Sequence, residues 1–164
     1  MIVQLRVDDR LIHGQVALVW TKELDTPGIV VANDNAASNE MVQMTLKMAT
    51  PTGKKLLIRS VDDAITVFNN PKGKGMRMFA LTNCVKDALK IAQNVEDIEG
   101  INVANVGRFA DKSEGEPIQV GSTLMLSPSE LDALKELDKL DVPVFQQVVP
   151  SNAKVSITNL LKNK

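Results

Sequence analysis

Short apolar runs rich in β-branched residues alternate with segments of helical periodicity along most of this 164-residue chain. The runs predict strands at 2–7, 28–33, 55–59, 76–82, 101–106, 118–125 and 143–148. The segments between and after them predict helices at 14–23, 38–49, 61–69, 84–94, 128–139 and 154–162. Such alternation builds parallel βαβ units with right-handed crossovers, so we expect an α/β fold with a single open, mostly parallel sheet of about six to seven strands and helices on both faces.

The chain carries no repeat and no low-complexity linker, and its length suits one domain over residues 1–164. Segments 69–75 and 111–116 are expected to be turns or surface loops within that domain.

The clearest helix start lies at residue 128. Ser127 can cap the helix, Pro128 suits its first position, and Glu130 completes a capping box. The leucines that follow at helical spacing, Leu131, Leu134 and Leu137, predict a core-facing helix.

Composition argues against several classes of function. The 19 Lys and Arg residues nearly balance the 20 Asp and Glu residues, and aromatic content is 3%, so nucleic-acid binding is not expected. One histidine and one cysteine supply neither a zinc site nor a disulfide framework. Nucleotide-binding and serine-hydrolase motifs are absent, so we expect no cofactor. The lack of a leader-like or bilayer-length apolar run predicts a cytoplasmic protein.

The only histidine lies in RVDDRLIHGQV, residues 6–16. Sites in open parallel sheets form beyond the carboxyl ends of the strands, which places this segment at the functional edge. The polar residues predicted at that edge are Asp8, Asp9, Arg10, His13, Gly14 and Gln15 after the first strand, then Asn33, Asp34, Asn35, Thr82, Asn83, Asn105, Gly107 and Arg108.

This segment contains the groups that a transient phosphohistidine requires. An imidazole with an ordinary pKa of about 6.5 is mostly neutral and nucleophilic near pH 7. Phosphoryl transfer needs cations or N–H donors for the oxygens, and Arg6, Arg10 and a helix start near Gly14 provide both. Either aspartate can fix the imidazole tautomer or orient an arginine, and Gly14 permits close backbone approach beside His13.

Ordinary structural roles are the alternative for many of these residues. A lone histidine is most often a surface or core residue, and an Asp at a strand end is often a turn or capping residue. Asn83 and Asn105 are likewise common turn formers. Met41, Met44 and Met48 share one predicted helix and are expected to fill the core or an interface.

The motif resembles the active-site signature of IIB components of the mannose/fructose/sorbose (N-acetylgalactosamine) family of the bacterial phosphoenolpyruvate-dependent sugar phosphotransferase system. The signature is Arg, a β-branched residue, Asp, an acidic or polar residue, Arg-Leu, a β-branched residue and His-Gly-Gln-Val, and residues 6–16 match every position. The likeness continues through Trp20, 31–49 and 101–107, nearly the whole chain. Arg108 departs from it, because family members often carry a neutral residue there.

The resemblance implies that His13 accepts a phosphoryl group on Nδ1 from a IIA phosphohistidine. His13 would pass it to a sugar held by the membrane IIC and IID components, a protein-Nπ-phosphohistidine–sugar phosphotransferase activity without a metal. The carrier would be cytoplasmic and peripherally associated with the membrane transporter, and its IIA would come from another polypeptide. The sugar is left open among mannose, fructose, sorbose, glucosamine and N-acetylgalactosamine, as is self-association into a homo-oligomer.

The site residues that the resemblance implies are His13, Arg10 and Asp8 for catalysis, and Arg6, Gly14, Gln15, Asn83, Asn105 and Gly107 for binding the phosphate or a partner. The competing hypothesis is a non-catalytic regulatory module of the same fold that binds a partner or an anion at the helix start.

Overall fold

The computed structural model describes residues 1–108, 112–162 and 164. Their strands are β1 (Ile2–Asp8), β2 (Gly28–Ala32), β3 (Lys55–Arg59), β4 (Met78–Thr82), β5 (Ile101–Asn105), β6 (Ile118–Val120), β7 (Leu124–Leu126), β8 (Val144–Gln146) and β9 (Val155–Ser156). Their helices are α1 (Gly14–Leu24), α2 (Asp34–Ser38), α3 (Glu40–Ala49), α4 (Val61–Phe68), α5 (Val85–Asn94), α6 (Pro128–Asp138) and α7 (Ile157–Leu160). The predicted α/β class is confirmed.

The main sheet has the strand order β3-β2-β4-β1-β5-β8-β9 and is parallel except for β9, which runs antiparallel to β8. The chain leaves β1 toward β2 on one side of the sheet, whereas it leaves β5 toward β8 on the other. Connections therefore diverge at the neighbouring strands β1 and β5. Open α/β sheets place their ligand crevices at the carboxyl ends of such strands.

Two hydrophobic clusters cover the two faces of the sheet. The first joins α4, α5 and α6 to one face, and the second joins α1, α2 and α3 to the other. Strand β1 is buried throughout, but from Gln4 onward only its odd-numbered residues are apolar. Leu5 and Val7 belong to the first cluster, while the alternating Gln4, Arg6 and Asp8 are buried polar residues. The even face of β1 thus brings charge into the interior, toward the carboxyl edge.

The predicted strand at 118–125 is wrong in extent and in place. It is a hairpin of β6 and β7, which form their own two-stranded sheet. Gly121 turns the chain with a φ of +65°, a backbone conformation that favours glycine. The apolar run therefore folds back instead of joining the main sheet.

Two predicted helices also differ from the structure. The helix at 38–49 is interrupted at Asn39, whose extended backbone ends α2 and whose side chain accepts from Met41 N–H and Val42 N–H at the start of α3. The helix at 154–162 begins as β9, because its first residues pair with β8, and is helical only over Ile157–Leu160.

The loops predicted at 69–75 and 111–116 contain short 3-10 turns at Pro71–Gly73 and Lys112–Glu114. Asp111 lies outside the described residues.

Helix α6 is capped as predicted, but its acidic residue has a different partner. Ser127 accepts from Glu130 N–H at 3.3 Å. The Glu130 carboxylate does not reach back to Ser127; it accepts from the N–H groups of Val85 and Lys86 at 2.8 Å each. Glu130 therefore occupies the amino end of α5 and ties the two packed helices together. The predicted core face is confirmed, since Leu131, Leu134 and Leu137 are all buried.

We expect Glu130→Ala to lower the free energy of unfolding by about 1–2 kcal/mol, because the two N–H groups at the amino end of α5 lose a charged acceptor. Glu136→Ala is the matched control in the same helix, since Glu136 is exposed and pairs only with Lys139 among the described residues. That change should cost less than about 0.5 kcal/mol. Urea titrations of both variants measure the difference, and equal losses would contradict the capping role.

Candidate functional site

A tight turn after β1 determines which side chains of the motif face solvent. Leu11 N–H donates to the Asp8 carbonyl at 2.8 Å, and Leu11 adopts a left-handed φ of +59°. This conformation costs a branched residue about 1–2 kcal/mol, but it turns Leu11 and Ile12 into the second cluster. His13 follows them and is exposed.

Asp8 joins two arginines at the end of β1. Its carboxylate accepts from Arg6 Nη2 at 3.3 Å, and from the Arg10 backbone N–H and Nε at 3.1 Å and 3.4 Å. Asp8 is fully buried, whereas the Arg10 side chain is 21% exposed. Within the described residues neither Nη of Arg10 has a hydrogen-bond partner. The contacts therefore fix Arg10 through Nε and leave its outer edge available.

Arg6 lies beneath the site and not at its surface. It is 1% exposed, its Nη1 donates to the Gln147 carbonyl at 3.4 Å, and its guanidinium carbon lies 5.7 Å from the centre of the Trp20 ring. Burial lowers the pKa of Arg6, and the Asp8 carboxylate opposes that shift. Arg6 is thus enclosed between the strand, the ring of α1 and the segment after β8.

His13 is the N-cap residue of α1. Its carbonyl accepts from Ala17 N–H at 2.8 Å, and its side chain makes no capping hydrogen bond. Among the described residues, the N–H groups of Gly14, Gln15 and Val16 have no hydrogen-bond partner. Free N–H groups and the positive end of the helix dipole favour an anion at this position.

The fold does not require the residue at position 14 to be glycine. A Cβ added there would meet nothing nearer than the Ala49 carbonyl oxygen at 3.9 Å, and its φ lies outside the left-handed region. Gly107 is the opposite case, because its φ is +119° and an added Cβ would overlap the Met125 backbone. Gly107 therefore has a structural reason to be glycine, and Gly14 has none within the described chain.

Asp9 connects the motif to the end of β5. Its N–H donates to the Asn105 carbonyl at 2.9 Å, and its Oδ2 accepts from the Arg108 N–H at 2.8 Å. Asn105 and Arg108, both predicted at this edge, thus meet the motif through their backbones.

A cavity of about 310 Å³ opens beside Asp9 on the β5 side of the motif. Asn83, Cys84 and Gly107 line it together with Glu130. The structure therefore brings Asn83 and Gly107 to the same edge as Asp9. The amino end of α5 beside them already holds the Glu130 carboxylate.

Three other residues predicted at this edge have structural contacts. Asn33 is buried and caps α2 by accepting from Ala36 N–H, and Asp34 accepts from Val61 N–H at the start of α4. Thr82 is completely buried.

The polar residues that support the motif from below were not predicted. Asn102 donates to the Gln147 carbonyl at 2.8 Å and to Gln4 Oε1 at 3.2 Å, while Gln147 N–H donates to Asn102 Oδ1 at 3.0 Å. The Trp20 indole N–H donates to the Val148 carbonyl at 2.9 Å. The sequence signal that could have found Gln4 and Asn102 was a polar residue between two apolar residues of a predicted strand.

Across residues 1–108, 112–162 and 164, no three His, Cys, Asp or Glu side chains gather closely enough to hold a metal ion. None of the helices in these ranges combines the length and apolar character needed to cross a membrane.

Residues 2–164 match the model of the family described as PTS system sorbose subfamily IIB component. A protein of Streptococcus pyogenes serotype M6 named "Probable phosphotransferase enzyme IIB component" is 56% identical over 162 residues, covering 98% of this chain and 99% of the relative. The sorbose-specific EIIB component of Klebsiella pneumoniae is 32% identical, covering 93% of this chain and 90% of the relative. The crystal structure of the IIBSor domain of the Klebsiella pneumoniae sorbose permease aligns with a TM-score of 0.88 and 30% identity over 100% of this chain and 98% of that one.

The chain belongs to the sorbose subfamily of IIB components of the sugar phosphotransferase system. Members of this family act in phosphoryl transfer during sugar uptake and work with IIA and with membrane IIC and IID partners.

The thiol of Cys84 provides a test of the electrostatics of the cavity. Burial, followed by the Asp87 charge, raises the pKa of Cys84 to about 12. Because an unfolded thiol has a pKa of about 8.5, the folded protein should react with iodoacetamide at pH 8.5 at least about a hundredfold more slowly than the urea-unfolded chain. The folded rate should still rise with pH above 9, where the unfolded rate levels off.

Cys84→Ser combined with Ser38→Cys is the matched control, since Ser38 is exposed. Its new thiol should react at nearly the unfolded rate. A folded wild-type protein that reacts as fast as this variant would contradict the raised pKa.

Proposed function

We propose that this protein is a single-domain phosphocarrier whose His13 accepts a phosphoryl group from the phosphohistidine of a IIA protein. His13 then delivers the group to a sugar held by the membrane IIC and IID components, and the carrier works in the cytoplasm at the membrane transporter. The observation that carries the proposal is the exposure of His13 at the first turn of α1, directly after two residues that are buried.

The proposed phosphoryl transfer needs no reactant other than the donor phosphohistidine, His13 and the sugar hydroxyl. The neutral His13 imidazole attacks phosphorus through Nδ1 as the P–N bond to the donor histidine breaks. The donor, protonated on its other ring nitrogen, leaves as a neutral imidazole, and His13 becomes a phosphoimidazolium. On delivery, a sugar hydroxyl forms a P–O bond, the P–N bond to His13 breaks, and the hydroxyl proton is released.

Charge placement at His13 supports this step. The phosphoryl oxygens carry negative charge throughout the transfer, and stabilising them is the main task of the protein. The outer Nη groups of Arg10 and the N–H groups of Gly14 and Gln15 are donors without partners among the described residues. These donors bind the phosphoryl group in the proposed reaction.

Arg6 and Asp8 act in the proposed reaction through Arg10. Arg6 is enclosed and its Nη groups contact Asp8 and the Gln147 carbonyl, so it is a positioning residue. Asp8 accepts from both the backbone and the Nε of Arg10, and this two-point contact holds the guanidinium plane. Asn83, Asn105 and Gly107 form the flank on which a partner approaches.

Incubation with phosphoenolpyruvate, the general phosphotransferase proteins and IIA should add one acid-labile, base-stable phosphoryl group to the wild-type protein. His13→Ala should take up none and should remain folded, because the side chain it loses is exposed. Intact-protein mass spectrometry reads both results. Uptake by His13→Ala would refute the assignment, and a wild-type protein that binds IIA but takes up no phosphate would favour the regulatory module.

Gly14→Ala should slow phosphoryl uptake at least about tenfold while leaving the melting temperature unchanged or higher, because alanine is the better helix former by about 1 kcal/mol. The added methyl group finds room within the chain, so the loss would report crowding of the phosphoryl group. Gly73→Ala is the matched control, since Gly73 has nothing within 4 Å of an added Cβ and its φ lies outside the left-handed region. Uptake by Gly14→Ala at the Gly73→Ala rate would contradict this role.

A further inference from the structure

Three methionines on α3 are exposed, so the core is excluded from the two roles predicted for them, core or interface filler. Met41, Met44 and Met48 are 80%, 65% and 83% exposed. Their spacing places them on one stripe of the helix, opposite Leu46, which is buried in the second cluster. The helix thus turns its largest apolar side chains outward.

Two apolar side chains of α1, on the same side of the sheet, are exposed as well. Leu18 and Val19 are 48% and 42% exposed, and α1 and α3 pack on the same cluster. The two helices come close beside the motif, where the Ala49 carbonyl lies 3.9 Å from the Cβ position of Gly14. We call the exposed side chains of Met41, Met44, Met48, Leu18 and Val19 the methionine face.

The charges around the methionine face cancel. Lys22 and Glu23 are exposed on α1, and Glu40 and Lys47 are exposed on α3. A helix that binds membrane lipids carries an excess of Lys and Arg beside its apolar stripe. The methionine face lacks that excess, and its chemistry suits a protein surface.

We infer that the methionine face is the docking surface for the phosphoryl-donor protein, an inference that rests on the proposed function of His13. The donor histidine must contact His13, so the donor footprint must include it. A standard footprint of about 800 Å² is a disc of about 16 Å radius. Leu18 lies about 8 Å along α1 from His13, and the stripe begins at Met48, next to Ala49, and extends about 10 Å along α3. The nearer members of the methionine face, Met48 and Leu18, therefore lie within the span of a donor centred on His13.

The two flanks of His13 differ in chemistry. The difference favours the donor protein, and not the sugar-bearing membrane component, as the partner of the methionine face. The β5 flank contains the cavity lined by Asp9 and Asn83, with polar groups suited to hydroxyls. The methionine face offers no such groups, and it fits a partner that presents only an imidazole on a protein surface. Flexible thioether side chains adapt to such a surface without rigid complementarity.

The test compares transfer from phosphorylated IIA with transfer from phosphoramidate, a small donor that has no surface to dock. The variant Met41→Gln/Met44→Gln/Met48→Gln keeps side-chain length and helix propensity while it removes the apolar surface. The KM for phospho-IIA should rise at least tenfold with kcat within twofold of wild type. Phosphorylation of His13 by phosphoramidate should be unchanged.

The matched control is Met76→Gln/Val155→Thr, which changes exposed apolar residues outside the methionine face, 56% and 38% exposed. It should keep the wild-type KM for phospho-IIA.

The inference is overturned if the triple variant keeps the wild-type KM, if the control shows the same rise, or if only delivery to the membrane component is impaired. Failure of the proposed function gives a different result, because phospho-IIA would then leave His13 of the wild-type protein unmodified and no KM could be measured.

Discussion

The buried ion pair between Arg6 and Asp8 is the interaction on which the site depends. Removing two charges from water costs several kcal/mol per ion, and a well-packed apolar pair would often be as stable. The pair therefore contributes geometry more than stability. Asp8 cannot accept from Arg10 at a fixed place unless its own charge is balanced inside the protein, and Arg6 balances it from below. Burial lowers the pKa of Arg6, and the charge of Asp8 opposes that shift.

The same ion pair connects three parts of the chain. Arg6 contacts the Trp20 ring of α1 and the Gln147 carbonyl after β8, and Asn102 of β5 contacts that same carbonyl. The segment after β8 is thus held by hydrogen bonds from two parallel strands, and α1 is held to it by the Trp20 indole. These buried polar contacts lie below the carboxyl edge of the sheet. They explain how His13 can be exposed yet keep a defined position, because Trp20 anchors the same helix two turns further on.

The order of strands and helices could be predicted from periodicity, because parallel strands are buried on both faces and their apolar runs are unambiguous. The hairpin at β6 and β7 could not, because an apolar run does not reveal where it folds back. Glu130 fitted a capping box, yet its position beside α5 depends on helix packing that is non-local. Arg6 was placed correctly at the strand end, but its burial follows from the covering Trp20 ring, which local pattern does not encode. Met41 illustrates a further limit, since periodicity identifies an apolar stripe without saying which side faces water.

An exposed apolar stripe beside an exposed nucleophile is consistent with a relay. In the proposed relay, His13 must release the donor before the acceptor can reach the same nitrogen, so neither complex can be long-lived. Affinity among related complexes is set mainly by the dissociation rate, and small adaptable contacts allow rapid dissociation. Methionine contributes apolar area through a flexible side chain. Its loss of conformational entropy on binding offsets part of the favourable free energy of burying that area. Leaving Met41, Met44 and Met48 uncovered between encounters is therefore compatible with fast turnover, whereas a rigid aromatic patch would bind more tightly and release more slowly.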